Sequence, residues 1–203
     1  MNLPNKLTVS RFIFTIAFLA VMFSEVRFHE TISLALFIAS GVTDFLDGEI
    51  ARRRRLITNF GVLMDPLADK IMVCSAFIAF VGRGWIPAST GVATGMVVII
   101  VARELAITGL RLLAASRHVV LAAERYGKHK TISQIVAIIA LLVLHAYGDW
   151  GAFGQVVFGW TLFKQKPWVY SFAEAAMWIS VTLTLTSGWL YLWKNRALYL
   201  DDV

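Results

Sequence analysis

A single cysteine among 203 residues removes any internal disulfide from consideration, and Cys74 lies inside an apolar run where it reads as packing. Histidine is nearly as sparse. His118, His129 and His145 have no partner at metal-ligand spacing and His29 stands apart on the opposite side, so none is assigned to a metal. No serine, cysteine or histidine accompanies an acid in a nucleophilic arrangement, and a covalent enzyme intermediate is not required. Charge is scarce too, at 16% of residues, and there is no soluble basic domain, no low-complexity tract, no linker and no internal repeat. A nucleic-acid partner is therefore not expected, and one membrane domain over 1–203 is the simplest organisation.

What fills the chain instead is hydrophobic sequence, 58% of residues with a mean hydropathy of +0.70. It falls into runs of about 20 residues, the length that crosses a bilayer as helix. Spans are predicted near residues 8–25, 31–52, 60–82, 87–114, 131–148 and 169–193. The expected fold is thus an all-α integral membrane protein of six transmembrane helices, which satisfy their own backbone hydrogen bonds in lipid. Lys6 and Arg11 followed by Phe12–Phe23 resemble a signal peptide in charge and apolarity. The small-x-small cleavage site is missing, however, and Ser24-Glu25-Val26-Arg27 stands in its place, which favours an uncleaved helix. Asn2–Thr8 is amphipathic in character and predicts a short interfacial helix leading into the membrane.

Lys and Arg set the orientation. Lys6, Arg11, Arg52 to Arg55, Arg117, Arg125, Lys128, Lys130, Lys194 and Arg196 fall on one side, against Arg27, Arg83, Lys164 and Lys166 on the other. The positive-inside rule puts both termini in the cytoplasm, with the chain in the inner (cytoplasmic) membrane. The net charge of +6 is then a signal of topology and of anionic lipid. The longest connection, near 149–168, carries Trp150, Trp160 and Trp168 and predicts an aromatic belt on the outer face.

Against this background stand four acids: Asp44-x2-Asp47-Gly48-x2-Ala51-Arg52, eight residues, then Gly61-x3-Asp65-x3-Asp69. Spacings of three and four stack each pair on one helical face, and the short connection at 53–60 predicts antiparallel neighbours whose ends are level. Asp44 then lies roughly 12 Å below Arg52, and Asp69 roughly 13 Å in from Phe60, just under the cytoplasmic surface. Four converging carboxylates suit hard divalent cations, Mg²⁺ or Mn²⁺, and two such ions can clamp a phosphoryl group in displacement. Gly48, Ala51 and Gly61 each lie one turn from an acid and keep the groove free of bulk, while Arg52 brings a phosphate-competent guanidinium to its rim. Small residues also mediate helix packing, and Arg53 to Arg55 read better as topology determinants. Purely structural pairing of the acids, with Lys70 or Arg103, would leave charge uncompensated in the membrane.

This frame of acids and small residues is similar to the signature of the CDP-alcohol phosphatidyltransferases, with every fixed position filled and the spacing undisturbed. The resemblance implies six transmembrane helices, a homodimer and displacement of CMP from a CDP-linked lipid by an alcohol. It implies that Asp44, Asp47 and Asp65 hold the metals, with Asp69 beside them acting as base on the acceptor hydroxyl. Gly48, Ala51, Arg52 and Gly61 would line the nucleotide and pyrophosphate. Asn2–Arg11, Val101–Glu104 through Arg111, and Gly127–Thr131 resemble the branch of the family that makes phosphatidylglycerophosphate from CDP-diacylglycerol and sn-glycerol 3-phosphate. Beyond about residue 150 nothing diagnostic is evident.

The residues themselves supply a second group. Arg103 and Arg111 lie two turns apart on one predicted helix, and Lys128 and Lys130 enter the next from the same side. A phosphorylated acceptor needs such cations and a neutral alcohol does not. The alternative is a structural pair of Glu104 with Arg103 or Arg111, with snorkelling lysines. The expected reaction is transfer of the phosphatidyl group to glycerol 3-phosphate. The rivals are another acceptor, such as serine or inositol phosphate, and a divalent-cation transporter. The transporter is poorly supported, since Glu174 is nearly alone toward the other face.

Overall fold

The computed structural model describes residues 3–54, 59–116, 125–163 and 166–200, with side chains at 9–43, 67–68, 70–115, 129–161, 166–196 and 198–199. Long helices dominate: α1 (Leu3–Met22), α2 (His29–Arg54), α3 (Asn59–Arg83), α4 (Thr90–Ser116), α5 (Arg125–Ala146) and α7 (Trp168–Lys194). Between α5 and α7 come a 3₁₀ turn (Tyr147–Trp150), α6 (Gly151–Phe158) and the strands β1 (Thr161–Phe163) and β2 (Lys166–Pro167); α8 (Ala197–Leu200) follows α7. Each long helix overlaps one of the apolar runs read from the sequence, though α1, α4 and α5 stop short of or start after the predicted bounds.

The N-terminus departs from expectation. No separate interfacial helix precedes the first span, because residues 3–22 form one unbroken helix. Pro4 sits in its first turn, where a missing N–H costs nothing, and no glycine or proline follows within it to break the ladder. The C-terminal end of α3 is closed by chemistry the sequence encodes locally. Gly84 adopts φ 65°, its N–H donates to Val81 O at 3.0 Å and that of Trp85 to Phe80 O at 2.9 Å. The Trp85 ring then stacks on Phe80 with centroids 5.9 Å apart. This is a Schellman cap with its apolar contact.

The long helices close a ring in which neighbours pack in the order α1, α2, α5, α7, α4, α3 and back to α1, with α3 also touching α5 across it. The interior is filled by Phe18, Phe37, Phe77, Phe80, Ile100, Ile138, Leu141 and Met177, among others. The outward faces are just as apolar: Ile16 is 67% exposed and Leu105 65%, and Ile78, Val98, Ile132 and Trp189 also point out. Helices apolar on every side belong in hydrocarbon. The helical stretches His129–Phe158 and Trp168–Lys194 are each long and apolar enough to span it. The chain is an all-α membrane protein.

Among the described residues α2 and α3 each pack chiefly on α1, which reaches both: Phe18 meets Phe37 of α2 at 6.2 Å, and Thr15 Oγ1 donates to Met72 Sδ of α3 at 3.4 Å. The facing ends of α2 and α3, expected to be level, lie largely outside the described residues. A short connection requires nearness of two helix ends but not contact along their length. The connection between α5 and α7 folds into α6 and the antiparallel β1–β2 pair, with Trp150, Phe158, Trp160, Trp168 and Phe172 in a continuous ring cluster. Trp150 Nε1 donates to Thr31 Oγ1 at 3.0 Å, tying this cap to α2.

Candidate functional site

Asp44, Asp47, Gly48, Ala51 and Arg52 all lie in α2, and Gly61, Asp65 and Asp69 in α3. Both stretches are continuous helix, so the spacings of three and four do place each acidic pair on one face. The side chains of these eight residues, and that of Lys128 in α5, lie outside the described residues.

The described residues one turn deeper outline what these positions border. Ser40 and Gly41 precede Asp44 by a turn, Ala68 adjoins Asp69, and together with Arg11, Phe37, Met72, Val73 and Ile135 they enclose a cavity of ≈120 Å³. It is bounded by α1, α2, α3 and α5. Among the described residues no group of three His, Cys, Asp or Glu side chains is suited to a metal. An all-carboxylate donor set fits a hard divalent ion and not a soft one.

The second group is built on α4. Glu104 is 3% exposed, and its Oε1 accepts from Lys130 Nζ of α5, from Arg103 Nη1 at 3.4 Å and from Gln134 Nε2 at 3.4 Å. Gln134 also donates to Thr184 Oγ1 of α7 at 3.3 Å. Arg103 Nη2 donates to Ser187 Oγ at 3.4 Å. Two cations thus share one buried carboxylate, leaving this cluster with an excess positive charge. Arg111 is exposed, and rests its guanidinium 5.7 Å from the centroid of the Tyr191 ring while Nε donates to Tyr191 OH at 3.4 Å.

Two of the predicted acceptor-binding cations, Arg103 and Lys130, are therefore brought together, and Arg111, also on α4, is held separately against Tyr191 of α7. Of the structural pairs considered from sequence, Glu104 with Arg103 is present, and Lys130 joins it. The acidic and basic groups are linked by a contact the sequence did not suggest. Lys70, next to Asp69 in α3, donates to Thr108 Oγ1 of α4 at 2.5 Å, and Thr108 donates to Glu104 O at 2.7 Å. Gln134, Thr184, Ser187 and Tyr191 were likewise missed. The signal that would have found the last three is their helical spacing in α7.

Acids spaced three residues apart on α2 and four apart on α3, with buried cations on α4 and α5, make a pattern suited to phosphate chemistry at a metal. A family model described as CDP-alcohol phosphatidyltransferase matches residues 1–186. The chain is 39% identical over 206 residues to the CDP-diacylglycerol–glycerol-3-phosphate 3-phosphatidyltransferase of Bacillus subtilis, covering 96% of this chain and 95% of that one. It is 35% identical to the protein of that name from Mycoplasma pneumoniae over 68% of this chain and 66% of the other. With the Rickettsia typhi counterpart it shares 29% identity over 94% of each. The chain belongs to the CDP-alcohol phosphatidyltransferase family.

Proposed function

We propose that the chain transfers the phosphatidyl group of CDP-diacylglycerol to sn-glycerol 3-phosphate, releasing CMP and forming phosphatidylglycerophosphate. The observation that carries this reading is the Lys70–Thr108 contact, which joins the helix of Asp65 and Asp69 to the helix of Arg103 and Arg111. The reaction is the one named for the B. subtilis, M. pneumoniae and R. typhi relatives. The chain works as a single membrane domain of six spanning helices, with both termini and the site on the cytoplasmic side of the inner membrane, as a homodimer.

Asp44, Asp47, Asp65 and Asp69 would hold two divalent ions, Mg²⁺ or Mn²⁺, whose charge offsets that of the pyrophosphate and of departing CMP. Gly48, Ala51 and Gly61 leave room for the nucleotide beside the acids, and Arg52 reaches the pyrophosphate. Arg103, Arg111, Lys128 and Lys130 attract and orient the acceptor's phosphate. Asp69 takes the proton of the glycerol hydroxyl as its oxygen attacks the lipid-bearing phosphorus in line, and the bond from that phosphorus to the CMP oxygen breaks.

The test is incubation of purified protein with CDP-diacylglycerol, Mg²⁺ or Mn²⁺ and a panel of acceptors, with CMP release as readout. Glycerol 3-phosphate is expected to support turnover far above serine, inositol phosphate or glycerol. Preference for any of those overturns the acceptor assignment.

A further inference from the structure

Four residues of α7 recur at the spacing of one helical face: Thr184, Ser187, Gly188 and Tyr191, all buried. Three of them lie beyond the residues that the family model matches. Each meets the basic cluster of α4. Thr184 accepts from Gln134, which in turn donates to Glu104. Ser187 accepts from Arg103, and its own hydroxyl donates to Thr184 O at 3.2 Å, which fixes its orientation. Tyr191 packs with Ile107 and Leu110 of α4, leaving its hydroxyl and ring face to Arg111.

Gly188 shows how close the approach is. A Cβ at that position would lie 2.8 Å from Arg103 Cγ and 3.6 Å from Arg103 Nε. The Arg103 stem therefore runs through space that only glycine leaves, and its Nε is buried with no hydrogen-bond partner among the described residues. A long, rotamer-rich side chain is confined to one path by the absence of a methyl group on the facing helix.

We propose that this α7 face is a positioning element for acceptor choice: it sets the directions of Arg103 and Arg111, and so selects a phosphorylated alcohol over a neutral one. The inference rests on the glycerol 3-phosphate reading above. None of the four residues touches the reacting atoms. They act through guanidinium groups, whose fork geometry makes binding of a phosphate sensitive to small rotations.

The experiment compares the wild type with Gly188→Ala, Ser187→Ala and Tyr191→Phe, measuring kcat/KM for glycerol 3-phosphate and for glycerol, KM for CDP-diacylglycerol, and melting temperature. The preference for glycerol 3-phosphate over glycerol should fall by about 10-fold or more in Gly188→Ala and Tyr191→Phe, through KM of the phosphorylated acceptor. KM for CDP-diacylglycerol should stay within about twofold, since the nucleotide is held by α2 and α3. Because Tyr191→Phe keeps the ring and its packing, it carries the test even where Gly188→Ala folds poorly. Variants that lose activity equally with both acceptors, or only melting temperature, overturn the proposal. A wild type with no preference for glycerol 3-phosphate overturns the parent reading and this one with it, and is distinguishable because it needs no variant.

Discussion

Replacing Glu104 with Gln removes the only described carboxylate from a cluster where Lys130 is 5% exposed and Arg103 is largely buried. The two cations then face each other without a counterion. Deleting one member of a buried ion pair costs about 3–5 kcal/mol. Glutamine is isosteric and its carbonyl still accepts one hydrogen bond from Lys130, so the lower end applies, about 3 kcal/mol. At about 2–4 °C per kcal/mol for a chain of this size, the melting temperature in detergent should drop by roughly 6–12 °C. Lys130→Met in the same background removes the stranded charge, and the double variant should recover most of that loss. It should not recover glycerol 3-phosphate turnover, because a cation of the acceptor site is gone. Thermal unfolding of wild type, both singles and the double, beside CMP release, checks all of this. A Glu104→Gln melting temperature within about 1 °C of wild type, or a double variant no more stable than the single, would refute the buried-pair argument.

Chelation of divalent ions should abolish CMP release, and Asp44→Ala or Asp65→Ala should do the same in saturating Mg²⁺; full turnover in excess chelator sinks the metal assignment. Asp69→Asn should lower kcat by at least about 10²-fold through loss of the general base, and near-normal turnover would show that another group takes the proton. Trp85→Ala, at the far end of the bundle, should lower the melting temperature by an amount equivalent to about 3–5 kcal/mol, because the ring stacks on His145 at 4.3 Å and on Phe80. Both substrate KM values should stay unchanged in that variant, and a selective shift in either would tie the outer cap to the site.

The long helices were legible because hydrophobic length is a property of contiguous residues, and the acidic frame because its spacing is a property of one helix at a time. Contacts between helices were not. Lys130 was expected among the acceptor's cations, but its engagement with Glu104, a partner 26 positions away, is something no within-helix spacing reveals. The α7 face was passed over for a related reason. Val181–Gly188 reads as ordinary small residues of a membrane helix, and the meaning of Ser187 and Gly188 appears only when Arg103 lies against them. The Lys70–Thr108 link has the same character, since Lys70 was weighed only as a counterion for the acids. The separate interfacial helix was expected from polarity alone, and polarity does not end a helix that lacks a breaker.

In the proposed metal site four carboxylates would repel one another, so the helices that bear them would gain little from associating until ions arrive. The position of α1 changes what assembly demands. It packs on α2 through Phe18 and on α3 through Thr15. Each acidic helix thus has α1 as a common neighbour, and in the proposed site their mutual repulsion would act across a gap whose width that third helix sets. In that sense α1 is a spacer as much as an anchor: it would hold the acids near enough to share ions and keep them from having to touch.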